Sequence, residues 1–175
     1  MILEKPAFNF DLKLVIDEVK FYTEKYPQIR PQICLTHSTD THTAIERLRE
    51  AAGSMTILSR KADTEVDMFK EEFYGTYLHF IYKTLSTKFQ LCRFRIMIMN
   101  GPMVYYAHSD TSRRLHYVVE TNSDCVFLFP EIGEQFHIPA DGNVYLVDTR
   151  LRHTFVNASR LPRIHLLLSL FPETE

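Results

Sequence analysis

The sequence predicts a mainly β domain of the α+β class, in which N-terminal helices buttress a double-stranded β-helix, the jelly-roll or cupin-like fold. After Lys88, eight short apolar segments follow one another with turn residues between them. Before Lys88, apolar residues recur at helical spacing. Of the 175 residues, 45% are hydrophobic and 24% are charged, which is typical of a globular domain with one core. We therefore predict a single domain over 1–175, with helical and mixed support over 1–88 and the jelly-roll core over 89–175.

The first helix is predicted from about Asp11 to Tyr26, where Pro27 ends it. Its apolar side chains follow the i, i+3, i+4, i+7 spacing, which places them on one stripe of a helix. These side chains are Leu12, Val15, Ile16 and Val19.

Four segments lie between this helix and the jelly roll. Residues 32–36 predict a short strand, and a capping box starting at Thr43 predicts a short helix over 43–52. Residues 54–70 follow no clear pattern. The aromatic and apolar residues of 73–85 predict a second helix packed on the sheet.

The eight strands of the predicted barrel are separated by Asn, Gly, Pro and Asp residues that favour turns. They are expected over 90–99, 103–108, 114–121, 125–129, 134–138, 143–148, 153–156 and 163–171.

Composition also argues against several functional classes. The net charge is −2 and no basic block stands out, so we expect no nucleic-acid groove. No apolar run approaches the ~18 residues of a membrane span, and the N-terminus lacks the apolar region of a signal peptide. Three cysteines without a Cys-x-x-Cys pair predict free, buried thiols. We therefore expect a cytoplasmic protein with no membrane partner.

Three side chains form a candidate metal site. His108 and Asp110 are two residues apart, so in an extended segment they lie on one face and can bind one ion. His153 would join them from a distant strand. Two histidines and one carboxylate typically hold non-haem Fe(II) in oxygenases. A single His-x-Asp pair is also common in surface turns, so its surroundings decide between these interpretations.

Those surroundings resemble a known family. Tyr105 to Leu170 is similar to the catalytic core of the aspartyl/asparaginyl β-hydroxylase family of Fe(II)/2-oxoglutarate-dependent dioxygenases, and to the bacterial L-proline cis-4-hydroxylases of that group. The matching segments are His108-Ser-Asp110, Arg114-Leu-His116, Thr121-Asn122, Gly142 to Asp148, His153 and Arg163-Ile-His165. The family places an arginine ten residues beyond its distal metal histidine, as Arg163 stands beyond His153.

The resemblance implies a single dioxygenase domain that uses Fe(II), 2-oxoglutarate and O2. His108, Asp110 and His153 would hold the iron and act as the catalytic centre. Arg163 would bind the distal carboxylate of 2-oxoglutarate, since an arginine in an apolar barrel needs an anionic partner. A structural ion pair with an Asp or Glu is the alternative for this arginine.

Further cofactor and substrate contacts are expected around this centre. His116 matches the family histidine that also touches the 2-oxoglutarate carboxylate, and Arg114 shares its strand face. Arg93 and Arg95 alternate with apolar residues, so they line either the barrel mouth or a solvated strand face. His165 is a candidate substrate contact or a core histidine with satisfied hydrogen bonds.

The implied reaction is hydroxylation of an unactivated C–H with release of succinate and CO2. Animal aspartyl β-hydroxylases lack a carboxylate at the position of Asp110, whereas the proline hydroxylases have one. A carboxylate there favours hydroxylation over halogenation. The expected substrate is a small amino acid or a peptidyl side chain. A non-catalytic cupin-like module that binds a metal or small ligand is the alternative function.

Overall fold

The computed structural model describes residues 1–27, 31–39 and 62–173. Within these ranges the helices are α1 (Leu12–Lys25) and α2 (Tyr77–Ser86), with short 3-10 helices at Asp63–Glu65 and Glu71–Phe73. The strands are β1 (Leu3–Glu4), β2 (Gln32–Cys34), β3 (Thr36–His37), β4 (Met68–Phe69), β5 (Leu91–Met99), β6 (Met103–Val104), β7 (Arg114–Glu120), β8 (Cys125–Phe129), β9 (Glu134–Phe136), β10 (Val144–Val147), β11 (Thr154–Asn157) and β12 (Arg163–Leu170).

Two antiparallel sheets face each other across the barrel. The larger has the strand order β1-β10-β7-β12-β5-β2, and the smaller has the order β6-β11-β8-β9. From β7 onward the chain passes back and forth between the two sheets. This connectivity is that of a jelly roll, so the predicted fold class is confirmed.

The alternating pattern of β12 divides the interior into two layers. Leu166 and Leu168 are fully buried in the cluster that also contains Val15 and Val19 of α1. Side chains of the opposite strand face point between the two sheets, towards a second cluster built from the smaller sheet. The helices therefore cover the outer face of the large sheet, and the space between the sheets is left for the site.

The helix α1 forms as predicted. Asp11 is its N-cap, and the side chain of Asp11 accepts a hydrogen bond from the backbone N–H of Leu14. Val15, Val19 and Tyr22 are buried along one face of the helix.

The helix α2 starts later than predicted, so the expectation of a helix from residue 73 is wrong at its beginning. Glu71–Phe73 is a separate 3-10 helix, and Gly75 has a φ of +79°, which a continuous helix does not allow. Thr76 then caps α2 by accepting a hydrogen bond from the N–H of His79.

The predicted barrel strands all occur, with most ends within two residues of their expected positions. The main exception is β6, which ends at Val104 although a strand was expected to residue 108. The predicted helix over 43–52 lies outside the described residues. Cys34, Cys92 and Cys125 are free and buried, as expected. No helix in the described ranges is long and apolar enough to cross a membrane.

Candidate metal centre

The backbone brings the two candidate histidines face to face at the barrel rim. His108 and His153 form an isolated antiparallel bridge, in which the N–H of each donates to the carbonyl of the other at 2.9 and 2.8 Å. The N–H of Asp110 donates to the carbonyl of Thr149 at 2.8 Å. The segment after β6 therefore leaves its regular ladder but is held at both ends of the His-x-Asp motif.

The three side chains converge on one point. Their ligand atoms all lie within 4.8 Å of one another. Nε2 of His108 is 3.6 Å from Oδ1 of Asp110, and Nε2 of His153 is 3.7 Å from Oδ2. These separations exceed hydrogen-bond lengths. The distances of these two His–Asp pairs suit a shared ion, because two atoms that each lie ~2.1 Å from a metal are at most ~4.2 Å apart.

Hydrogen bonds fix the tautomer of both histidines. Nδ1 of His108 lies 2.9 Å from the carbonyl oxygen of Tyr106, and Nδ1 of His153 lies 2.9 Å from that of Leu151. A carbonyl only accepts, so each Nδ1 carries the proton and each Nε2 offers a lone pair. Burial lowers the pKa of His153, which further favours the neutral ligand form.

The two carboxylate oxygens of Asp110 have different surroundings: Oδ1 is paired with an arginine, and Oδ2 is not. Oδ1 forms an ion pair with Nη2 of Arg114, with the two atoms 2.7 Å apart. Oδ2 is buried and has no hydrogen-bond partner among the described residues. A buried carboxylate oxygen without a donor is costly, and a divalent cation would satisfy it. The set of side chains therefore fits a metal ion.

A second group of unsatisfied polar atoms lies between the sheets around Arg163. Its side chain is 3% exposed, and its guanidinium stacks 3.4 Å from the ring centroid of Phe155. Nη2 donates to Nδ1 of His165 at 2.7 Å, whereas Nε has no hydrogen-bond partner in the part of the chain that the structure describes. Within the described ranges no carboxylate contacts this arginine. The structural ion pair considered as the alternative is thus not seen there.

The histidines beside Arg163 are neutral and turn further polar atoms into this space. Burial, followed by the charge of Arg163, lowers the pKa of His116 and His165 well below the ordinary histidine value. Their Nδ1 atoms lie 3.4 Å apart, and the Nε2 of each is buried without a partner in the described structure. Because Arg163 donates to Nδ1 of His165, the proton of His165 must be on Nε2. His165 is thus a donor towards the space between the sheets.

The remaining candidate arginines lie at a buried charge cluster. Arg93 and Arg95 are each 3% exposed, so the solvated strand face considered for them is wrong. Arg93 contacts Asp63 at 3.0 Å, and Arg114 contacts the same carboxylate at 3.3 Å. Arg114 therefore contacts two carboxylates, those of Asp63 and Asp110, in addition to any role towards a cofactor.

Asp63 is the residue of this cluster that sequence reasoning missed. It falls in the stretch 54–70, which carries no periodic pattern. Burial raises the pKa of Asp63, but the charges of Arg95, Arg114 and Arg93 outweigh burial and lower it to about 2. The available signal was indirect: several arginines on apolar strands require a buried carboxylate.

Comparison with known proteins gives a result only at the level of structure. No family model and no curated protein sequence matches the chain. The viral collagen prolyl hydroxylase of Paramecium Bursaria Chlorella virus-1, solved as a complex with 2-oxoglutarate, superposes with a TM-score of 0.57 over 99% of this chain and 97% of its own, at 11% identity. The chain has the fold of this hydroxylase.

A bacterial prolyl hydroxylase supports the same conclusion. The Pseudomonas putida prolyl-4-hydroxylase superposes with a TM-score of 0.52 over 99% of this chain and 94% of its own, at 9% identity. Both comparisons show that the chain shares the fold of prolyl hydroxylases. The closer resemblance to aspartyl/asparaginyl β-hydroxylases stays a prediction.

Proposed function

We propose that this protein is an Fe(II)/2-oxoglutarate-dependent dioxygenase that hydroxylates an unactivated C–H of a small amino acid or of a peptidyl side chain. The proposal rests on two features that occur together in one barrel. A set of two histidines and one carboxylate lies in the same barrel as a buried arginine that contacts no acidic group among the described residues.

His108, Asp110 and His153 would hold the iron. When bound, Fe(II) and 2-oxoglutarate supply the oxidising power from O2, so that a C–H becomes C–OH while 2-oxoglutarate becomes succinate and CO2. The chain's own contribution is orientation. Carbonyl groups fix the ring planes of both histidines, and Arg114 fixes one carboxylate oxygen.

Arg163 would bind the distal carboxylate of 2-oxoglutarate. Phe155 fixes the plane of the guanidinium and His165 accepts one of its N–H groups, which leaves Nε to be satisfied by a ligand. The uncharged state of His116 and His165 lets both contact an anion or a polar ligand without adding charge. His116 and Arg114 are the further candidate cofactor contacts.

The substrate is best sought among molecules that carry a carboxylate or an extended peptide backbone. Arg93 and Arg95 are buried on one strand face, and Arg93 contacts the same carboxylate as Arg114, that of Asp63. Both arginines are candidate substrate contacts together with His165. The two similar structures are prolyl hydroxylases, one of them named as a collagen hydroxylase, so peptidyl residues belong in the test. Three free cysteines support a reducing compartment, and we place the protein in the cytoplasm.

The test is succinate release from 2-oxoglutarate, with Fe(II) added to the protein under anaerobic conditions before O2. Free amino acids and short peptides are tried as prime substrates. His79→Ala is the matched control for His108→Ala, because His79 lies in α2, where it stacks on the rings of Phe69 and Tyr74. Substrate-dependent succinate in the wild type and the control, absent from His108→Ala, is the expected result. Metal binding without any 2-oxoglutarate consumption would instead support the non-catalytic cupin-like module.

A further inference from the structure

We propose that Asp63 is a positioning residue of the metal centre, which acts by holding Arg114 against the carboxylate of Asp110. This inference rests on the proposed metal site and extends it to a residue outside the barrel strands. Asp63 starts the 3-10 helix Asp63–Glu65, and its carboxylate reaches three strands of the large sheet. It contacts Arg93 of β5, Arg114 of β7 and Ser169 of β12.

A single nitrogen of Arg114 joins the two carboxylates. Nη2 lies 3.3 Å from Oδ2 of Asp63 and 2.7 Å from Oδ1 of Asp110. An arginine Nη carries two hydrogens, so one can be directed at each acceptor. This nitrogen donates a hydrogen bond to Asp63 and is paired with Asp110, so its position depends on Asp63 as well as on Asp110.

The orientation of the Asp110 carboxylate needs this outside support. The backbone of Asp110 is fixed by its hydrogen bond to Thr149, but the terminal torsion of an aspartate is soft and nearly two-fold. Arg114 engages Oδ1, which leaves Oδ2 unengaged and facing Nε2 of His153 at 3.7 Å. Arg114 thus decides which oxygen remains available to an ion.

Electrostatics explains why Arg114 would not keep this position alone. Arg93 and Arg114 both contact the carboxylate of Asp63, so two guanidinium groups of like charge lie close together and repel each other. Asp63 offsets that repulsion and is itself held ionised by the same arginines. With an uncharged side chain at position 63, the arginines would compete for Asp110, and its carboxylate would turn away from the histidines.

The experiment measures Co(II) binding to the whole protein by its visible absorption, which reports both affinity and coordination geometry. We expect Asp63→Asn to weaken Co(II) binding by about tenfold, the lower range for outer-shell partners of metal ligands, and to alter the spectrum. Asp141→Asn is the matched control. Asp141 also accepts several side-chain hydrogen bonds, from Asn143 and Tyr145, but these partners do not contact a metal ligand. The Co(II) affinity of the Asp141→Asn variant should equal that of the wild type.

A double-mutant cycle separates positioning from a plain charge effect. If Asp63 acts through Arg114, then Asp63→Asn should add little to the loss caused by Arg114→Gln. Additive losses would mean that Asp63 acts on the ion directly by its charge, and would overturn the proposal. Wild-type affinity in a folded Asp63→Asn variant would also overturn it. Failure of the wild type to bind Co(II) would contradict the proposed function itself.

Ser169→Ala provides the test if Asp63→Asn does not fold. Ser169 donates to Oδ2 of Asp63 at 2.5 Å, so this variant loosens Asp63 without removing its charge. Loss of one such hydrogen bond should weaken Co(II) binding by about threefold. Unchanged affinity and an unchanged spectrum would show that the position of Asp63 does not matter to the metal.

Discussion

At the scale of single residues, unsatisfied buried atoms mark where ligands belong. Oδ2 of Asp110 lacks a donor, and Nε of Arg163 lacks an acceptor, among the described residues. Leaving such groups unpaired costs about 1–3 kcal/mol each, more for charged groups. Their occurrence in one barrel is explained if a cation and an anion bind there together.

The first prediction concerns the metal ligands. Alanine substitution of His108, Asp110 or His153 should abolish succinate production, because each substitution would remove one of the three proposed ligands of the ion. Circular dichroism should show a retained fold. A variant that keeps both metal affinity and turnover would remove that residue from the set.

The second prediction concerns Arg163. Since hydrogen bonds to charged groups contribute about 1.5–3 kcal/mol, Arg163→Ala should raise the half-saturating concentration of 2-oxoglutarate about ten- to a hundredfold. Arg163→Lys should recover only part of the lost affinity for 2-oxoglutarate, because a single ammonium group cannot reproduce the two parallel hydrogen bonds of a planar guanidinium. Fe(II) binding, measured alongside, should barely change. If the alanine variant had the same half-saturating concentration of 2-oxoglutarate as the wild type, another residue would bind the distal carboxylate. Arg114 is the next candidate.

The third prediction is a pH dependence that comes from Asp63. Its folded-state pKa of about 2 is below the ordinary value of 3.8, so its stabilising contribution is present above that ordinary value and is lost as the pH falls through about 2. Between pH 5 and pH 2, urea unfolding should show the wild type losing about 2 kcal/mol more than Asp63→Asn. Equal losses would mean that the arginines do not hold this carboxylate ionised.

At the scale of elements, one helix caps another. Glu18 of α1 accepts hydrogen bonds from the N–H groups of Tyr77 and Leu78, at 2.7 and 2.9 Å, where α2 begins. These N–H groups have no partner within their own helix, and a negative charge is favourable at that end. The contact fixes the helical layer against the large sheet.

The fourth prediction follows from this contact. Glu18→Ala should lower the free energy of unfolding by about 1 kcal/mol, the usual cost of a lost helix cap. The expected change is confined to stability in chemical denaturation, because Glu18 does not contact the metal centre. Glu24→Ala, on the same helix, is the control. A loss of metal affinity in Glu18→Ala would show that the helical layer acts on the site.

The strands were predictable because local residues define their ends. Asn100, Gly101 and Pro102 separate β5 from β6, and Gly142, with a φ of +78°, precedes β10. The start of α2 was placed too early because Phe73 continues the apolar pattern of the helix while Gly75 interrupts its backbone. The spacing of apolar residues does not reveal that the backbone leaves the helical conformation at Gly75.

The candidate metal site was easier to predict from the sequence than the residues around it. His108 and Asp110 are two residues apart, so both side chains lie on one face of an extended segment. This spacing can be recognised directly in the sequence. Asp63 has no such local signature, because its role comes from contacts with β5, β7 and β12. Long-range contacts of this kind depend on strand order, which the spacing of residues does not give.

At the scale of the whole molecule, the cysteines report on whether the support and the barrel unfold together. Cys34 lies in β2, Cys92 in β5 and Cys125 in β8, and all three are buried. Burial, the largest influence, raises the pKa of the Cys92 thiol to about 12, so the folded protein offers no reactive thiolate there.

The fifth prediction uses these thiols. In the native protein all three should resist a thiol reagent, and on unfolding in urea they should react with one common rate, because the chain passes repeatedly between the two packed sheets and neither sheet can open alone. Mass spectrometry after partial labelling distinguishes unmodified and triply modified chains from intermediates. Early labelling of Cys34 alone would show that residues 1–88 open separately from the barrel.

The bridge between His108 and His153 links ion binding to the shape of the barrel opening. All of β7, β8, β9 and β10 lies in the chain between these two histidines, so an ion held by both side chains closes that part of the chain into a ring. Closing a ring removes conformational freedom chiefly from open states, as any cross-link does. The thermodynamic coupling is reciprocal: an ion that secures the rim binds less tightly wherever the rim is loosened. Substitutions far from the three candidate ligands that weaken the backbone bridge between His108 and His153 would therefore lower the affinity for the metal ion.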